Sequence, residues 1–295
     1  MLAGGIGNGN WFAGIANMKR LLARVCISSV FVFAVTVATA QAPERLEKIA
    51  EGEYWEWQDG HPIKDTTQSW TIWRTKEGFE IESKLPPNRG DALRAMMGSA
   101  FSKNMAPELR EELQNATTTR GIDLGTNSDL GIVKMQLSGL KLRDAKPVEV
   151  ADCNRNGDEI SCKGPGGTAR LKNVGQSSLV YSYPSPLFFV PIIKQAKPGL
   201  DQSVPVKLAM LNQVKNKLQL TEVGGQLRGK GPDRLSVGER IFDTDKFELT
   251  LETKPVPRVI TLWTSKQGIV FAMEDSEFAA GHRILLTQYK RFAEF

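Results

Sequence analysis

Residues 69–83 read SWTIWRTKEGFEIES: Trp70 and Ile72 alternate with Thr71 and Trp73, a turn comes at Glu77-Gly78, and the chain resumes with Phe79 and Ile81. Side chains of an extended strand point to opposite faces with a period of two, so this stretch predicts two strands joined by a tight turn. Just upstream, EGEYWEWQDG at residues 51–60 places Tyr54, Glu56 and Gln58 on one side of a strand and Trp55 and Trp57 on the other, before a turn at Asp59-Gly60. The same period returns in IVKMQLSGLKL from Ile132, SSLVYSY from Ser177, NKLQLTEV from Asn216, FELTLET from Phe247, RVITLWTS from Arg258, GIVFAMED from Gly268 and RILLTQYKRF from Arg283. Gly, Asn, Asp or Pro punctuates these runs, and their spacing is that of an antiparallel meander, not of strands alternating with crossover helices.

Two helical segments interrupt the strands. Asp91 caps a run in which Leu93, Met96, Met97, Ala100 and Phe101 share a face, and Pro107 opens PELREELQNA, with Leu109 and Leu113 one turn apart. A short helical insertion near residues 90–116 is therefore expected.

The segment DCNRNGDEISC, residues 152–162, has two readings. Asp152, Asn154, Asn156 and Gly157 match the first half of a calcium-binding EF-hand loop, but the twelfth position, where a bidentate glutamate must close the coordination sphere, is Lys163. A cationic amine there repels the ion. Asn156-Gly157 flanked by extended runs is instead a strong hairpin signal, and Cys153 with Cys162 can clip that hairpin shut. No metal site is expected.

A disulfide requires an oxidising compartment, and the N-terminal sequence predicts one. From Met18 the chain reads MKRLLARVCISSVFVFAVTVATA: Lys19, Arg20 and Arg24, then an apolar run from Val25 to Val37, then Ala38-Thr39-Ala40 as a cleavage site. These are the parts of a secretory signal peptide. The apolar run has roughly a dozen residues, short of the ~20 that span a bilayer as a helix, so residues 18–40 are expected to be removed. Residues 1–17 match neither a targeting head nor a folding unit, and translation is expected to start at Met18. Cys26 lies at the start of the apolar run, not its end, which disfavours lipid attachment. Residues 41–295 are expected to form a single exported β-rich domain, periplasmic or secreted from a bacterium and not spanning the membrane.

The signal carries three of the 38 Lys and Arg and none of the 33 Asp and Glu, leaving 35 basic against 33 acidic residues. That balance gives nucleic-acid binding no electrostatic support.

From residue 177 onward the chain resembles a group of uncharacterised bacterial exported proteins, domains of unknown function, whose strands form a curved half-barrel related in shape to the periplasmic lipoprotein carriers. The likeness rests on YPSPLFFVPII, on KPGLDQSVPV at residues 197–206, on the meander with Gly238-Glu239, and on the closing ITLWTSKQGIVFAMED and HRILLTQYKRF with Trp263 and Tyr289. It implies an antiparallel β-meander curved into a half-open barrel, and it brings no catalytic residues.

Catalytic equipment is sparse. There are two histidines, His61 and His282, and no Gly-x-Ser-x-Gly elbow; once the signal is gone, Cys153 and Cys162 are the only cysteines left. Asp243 and Asp245, or Glu274 and Asp275, are the carboxylate pairs that a hydrolase of envelope polymers would use. The leading expectation is a non-enzymatic binding protein, without cofactor, whose partner is an apolar or lipid-like molecule or another envelope protein. The concave face of the half-barrel would hold the ligand, lined by Trp55, Trp57, Trp70, Trp73, Met96, Met97, Phe101, Phe188 and Phe189. A structural or assembly subunit of the envelope is the remaining alternative.

Overall fold

The computed structural model describes residues 44–86, 107, 117–141, 146–175, 177–182, 185–214, 217–237 and 239–294. The expected signal peptide, residues 18–40, and, apart from Pro107, the expected helical insertion with Met96, Met97 and Phe101 lie outside the described residues.

Among the described residues nine strands come first: β1 (Arg45–Gln58), β2 (His61–Pro62), β3 (Gln68–Thr75), β4 (Phe79–Lys84), β5 (Thr117–Thr126), β6 (Ile132–Lys141), β7 (Pro147–Asn156), β8 (Glu159–Gly164) and β9 (Gly167–Lys172). Then come β10 (Ser178–Tyr181), a 3-10 turn (Pro186–Phe188) and helix α1 (Phe189–Ala196). Six more strands complete the order: β11 (Ser203–Val214), β12 (Lys217–Val237), β13 (Arg240–Leu251), β14 (Arg258–Thr264), β15 (Val270–Asp275) and β16 (His282–Arg291).

All sixteen belong to one sheet. Its order runs β10 through β16 in sequence, then β1, then β3 through β9, with β2 paired to β1. Every pairing is antiparallel except β10 with β11. The two edges, β9 and β10, are consecutive in sequence and joined only by residues 173–177, which span at most ~17 Å when extended. The sheet must therefore curl until its edges approach. β10 lies against β6, and β8 and β9 against β12; Leu218 N–H donates to the Gly166 carbonyl at 3.2 Å. No ladder joins β9 to β10, so the barrel stays open. The expected mainly β, half-open meander is the observed architecture.

Alternation builds the interior. Ala50, Ile72, Ile81, Leu124, Met135, Cys153, Cys162 and Ala169 form one continuous cross-strand row from β1 to β9, and all are buried. Cys153 and Cys162 face each other in this row with Cα atoms 4.0 Å apart and are joined by a disulfide. The DCNRNGDEISC stretch is thus the clipped hairpin, and the clip is part of the core.

The concave face is filled by the chain itself. Leu179 and Val180 of β10, Leu187 and Phe188 of the turn, and Phe189, Val190, Ile192 and Ile193 of α1 are all buried in the same core as the barrel strands. Gln68 on β3 pins this plug, donating to Ser83 Oγ at 2.7 Å and Ser185 Oγ at 2.8 Å. Ser185 Oγ accepts in turn from Leu187 N at 3.4 Å, which sets the start of the turn.

Candidate functional site

Phe188 and Phe189, expected to line a ligand, are core residues. With Val180, Tyr181, Leu208, Met210 and Leu251 they surround a cavity of about 20 Å³, room for about one water molecule. The space beside these two side chains is therefore too small for a lipid, whereas Trp70 lines a separate pocket of about 450 Å³ with Gly52 and Tyr289. Trp70 is also inside: it is buried, stacked on Tyr54 at 5.7 Å, and its ring lies where a side chain on Gly52 would be. Trp55, Trp57 and Trp73 have the opposite parity and are part-buried on the outer face. Trp73 lies under Arg45 and Lys48, 5.2 and 5.4 Å from its ring, and Trp57 packs against a small second apolar cluster. The structure thus separates the four tryptophans instead of gathering them around one ligand.

An apolar groove lies at the seam between plug and barrel. β10 pairs only with Leu208–Leu211, so the first part of β11, residues 203–207, has no strand on that side. Val204, Val206 and Leu208 of β11, Ile192 and Ala196 of α1, Pro205, and polar Ser178, Gln195 and Lys207 line a groove of about 350 Å³ there. Because β12 pairs with β11 along its whole length, the position of Pro205, which has no amide hydrogen, is tolerable only with its nitrogen on the open side. The groove edge therefore lacks a donor at its centre and suits an apolar chain better than an added β-strand.

The polar groups at the mouth satisfy one another. Lys207 Nζ contacts Glu222 at 3.2 Å, and Ser177 Oγ donates to the same carboxylate at 2.8 Å. That Ser177 bond, more than Lys207, lowers the Glu222 pKa below the usual carboxylate range. On the far side of α1, Lys194 is pushed down to about 8 by burial first and then by Lys197 and Arg74.

The two carboxylate pairs lie in different settings. Glu274 and Asp275 point to opposite faces: Asp275 is locked in a buried bidentate pair with Arg258 at 2.5–3.1 Å, while Glu274 pairs with exposed Arg283. Asp243 and Asp245 share a broad cleft of about 650 Å³ with Asp233, Arg234 and Lys266, but Asp243 is strongly exposed and its carboxylate lies 3.7 Å from Arg234. His61 is exposed, whereas His282 is buried 3.2 Å from Glu56 and stacked on Phe278. No sequence signal points to that buried His282–Glu56 pair, since 226 residues separate its members. Among the described residues no three His, Cys, Asp or Glu side chains are placed to hold a metal ion, and no helix is long and apolar enough to cross a membrane.

No protein family and no curated protein matches the chain. Solved structures do. A β-barrel-like protein of a domain of unknown function, DUF1849, from Brucella abortus superposes with a TM-score of 0.46 at 10% identity, covering 84% of this chain and 99% of its own. A DUF1089 family protein from Pseudomonas aeruginosa gives 0.33 at 10% identity over 77% and 90%. The hypothetical lipoprotein YmcC from Escherichia coli gives 0.25 at 14% identity over 70% and 97%. Of the three, the Brucella abortus protein is described as β-barrel-like and of unknown function.

Proposed function

We propose that this chain is an exported, non-enzymatic binding protein of the cell envelope, and that it holds one apolar chain in the groove between α1 and β11 instead of in the concave face. The observation that supports this reading is the uncovered half of β11, where Val204 and Val206 remain only part-buried beside Ile192 and Ala196. A bound aliphatic chain would remove that apolar surface from water at about 25 cal/mol per Å². The groove is at the small end of the ~300–1,000 Å³ range of ligand sites, so it fits a single chain and not a whole phospholipid. Because Lys207 is already paired with Glu222, the mouth favours a ligand whose end is uncharged.

Export rests on the signal-like residues 18–40 and on the disulfide that an oxidising compartment would maintain. The test is binding of 1-N-phenylnaphthylamine together with mass spectrometry of the purified protein for a co-purifying aliphatic molecule. Val206→Asp puts a carboxylate on the groove floor and is expected to weaken probe binding at least tenfold with unchanged circular dichroism. A protein that carries no aliphatic molecule, and whose probe binding is indifferent to Val206→Asp, would rule the groove out.

A further inference from the structure

β12 and β13 are longer than the sheet needs. β14 pairs only with Asp245–Leu251 of β13, so Pro232–Val237 and Arg240–Thr244 continue beyond it as a two-stranded ribbon. Such a ribbon is marginal alone. At its root the ladder slips between Gly229 and Gly231, and Gly231 has φ +88°, a left-handed conformation that glycine tolerates. The base of the ribbon borders the 650 Å³ cleft lined by Pro232, Thr244 and Lys266, so on that side it is not packed against the barrel.

The ribbon covers something specific. Lys246, Trp263, Ala272, Leu285 and Trp55 form a cross-strand row on the outer face from β13 to β1. Leu235 from the ribbon is buried against Trp263, Ala272 and Leu285 in an apolar cluster separate from the core, with Trp57, Val237 and Phe271 at its border. Two clasps hold it: Trp263 Nε1 donates to Asp233 Oδ2 at 2.9 Å, and Phe242 meets Phe271 edge-on at 5.3 Å. The indole N–H groups of Trp55 and Trp57 are buried and have no hydrogen-bond partner among the described residues. Orphaned buried donors are costly, and a ligand oxygen would satisfy them.

We infer that the ribbon is a hinged strap, turning at Gly231 just beyond Gly229, whose backbone is tied to Asp201 and Gln202, and that it gates a second site on the outer face for an apolar molecule bearing a hydrogen-bond acceptor. This inference is independent of the groove. It is tested with Nile red, an apolar dye carrying a carbonyl acceptor, in the Val206→Asp background, so that the groove does not report. Asp233→Ala removes the polar clasp and Phe242→Ala the apolar one; each is expected to raise dye affinity at least fivefold. Trp57→Phe, which removes one orphaned donor, is expected to lower it. Hydrogen exchange supplies a reading that does not depend on the dye: amides of 232–237 and 240–244 should exchange at least a hundredfold faster than those of β14 and β15. Strap amides as protected as β14, or dye affinity unmoved by both clasp variants, would overturn the inference.

Discussion

Replacing Asp275 by asparagine tests how β14 and β15 are held together beside the plug. Asp275 and Arg258 are buried to 1% and 6% side-chain exposure, and the carboxylate accepts three hydrogen bonds from the guanidinium at 2.5–3.1 Å, while Arg258 Nη1 also contacts Glu277 Oε2 at 2.9 Å. Arg258 also borders the small cavity behind Phe188 and Phe189, so the pair ties β14 and β15 together beside the plug. The neutral amide of Asp275→Asn would leave a guanidinium charge in the interior with only half-exposed Glu277 to answer it. Removing one partner of such a pair costs about 3–5 kcal/mol. In a domain of this size each kcal/mol moves the melting temperature by ~2–4 °C, so a fall of roughly 6–20 °C is expected. The double variant Arg258→Met/Asp275→Leu, which removes both charges and keeps the volume, is expected to recover most of that loss. Glu274→Ala, one residue away in an exposed pair with Arg283, should change stability by less than about 1 kcal/mol. Urea unfolding and calorimetry of the four proteins measure this. An Asp275→Asn protein as stable as the parent, or a double variant no better than the single one, would refute the reasoning.

The clip, a tight strand crossing and a raised carboxylate pKa each carry a further expected outcome. Cys153→Ala/Cys162→Ala opens a loop of sequence separation 9 and is expected to cost about 2–3 kcal/mol, read as a melting shift that reductant reproduces in the parent and not in the variant. Gly52→Ala would set a Cβ 2.5 Å from the Gln288 carbonyl and 2.6 Å from the Trp70 ring; because the backbone oxygen cannot swing away, a loss of about 1–3 kcal/mol is expected by chemical denaturation. Asp123 is pushed up to about 6 by burial and then by Glu82 and Glu80. Its folded pKa thus lies above its unfolded value, and the folded state binds the extra proton between about pH 4 and 6. Stability should therefore rise as pH falls from about 7 through 6 and level off near 4, while Asp123→Asn should be more stable than the parent at about pH 7 and lose that part of the slope. Urea midpoints across that pH range check it.

Much of the barrel was legible because half-buried antiparallel strands write their burial directly into the sequence. Trp70 and Ile72 alternate with Thr71 and Trp73, and the structure buries the first pair and leaves the second part-exposed. Asn156-Gly157 marked the hairpin because few residues tolerate its left-handed turn, and Gly157 has φ +57°. The plug is not legible in the sequence, for the converse reason. Leu187 to Ile193 is apolar on every side, which fits a wall against ligand and a segment surrounded by protein equally well. Only the path of the sheet decides between them, and that path depends on β16 pairing with β1 and on the short 173–177 link drawing β9 toward β10. The groove was hidden for another reason: it exists because β10 is four residues long and β11 twelve, a mismatch that no single segment reveals.

The plug also changes what such a barrel can do. A trough left open can admit a ligand to its centre, but here the chain has already used its most apolar segment to fill the centre, and Gln68 fastens that segment through Ser185 at 2.8 Å. Binding surface can then arise only where filling and covering are incomplete. Two such places are the half-strand of β11 that β10 does not reach, and the outer row that the β12–β13 ribbon covers with a single fully buried side chain, Leu235. Both are apolar, and both are bordered by paired charges, Lys207 with Glu222 and Lys246 with Asp233. An uncharged apolar ligand is favoured at each, because a charged one would have to displace an existing partner before gaining its own.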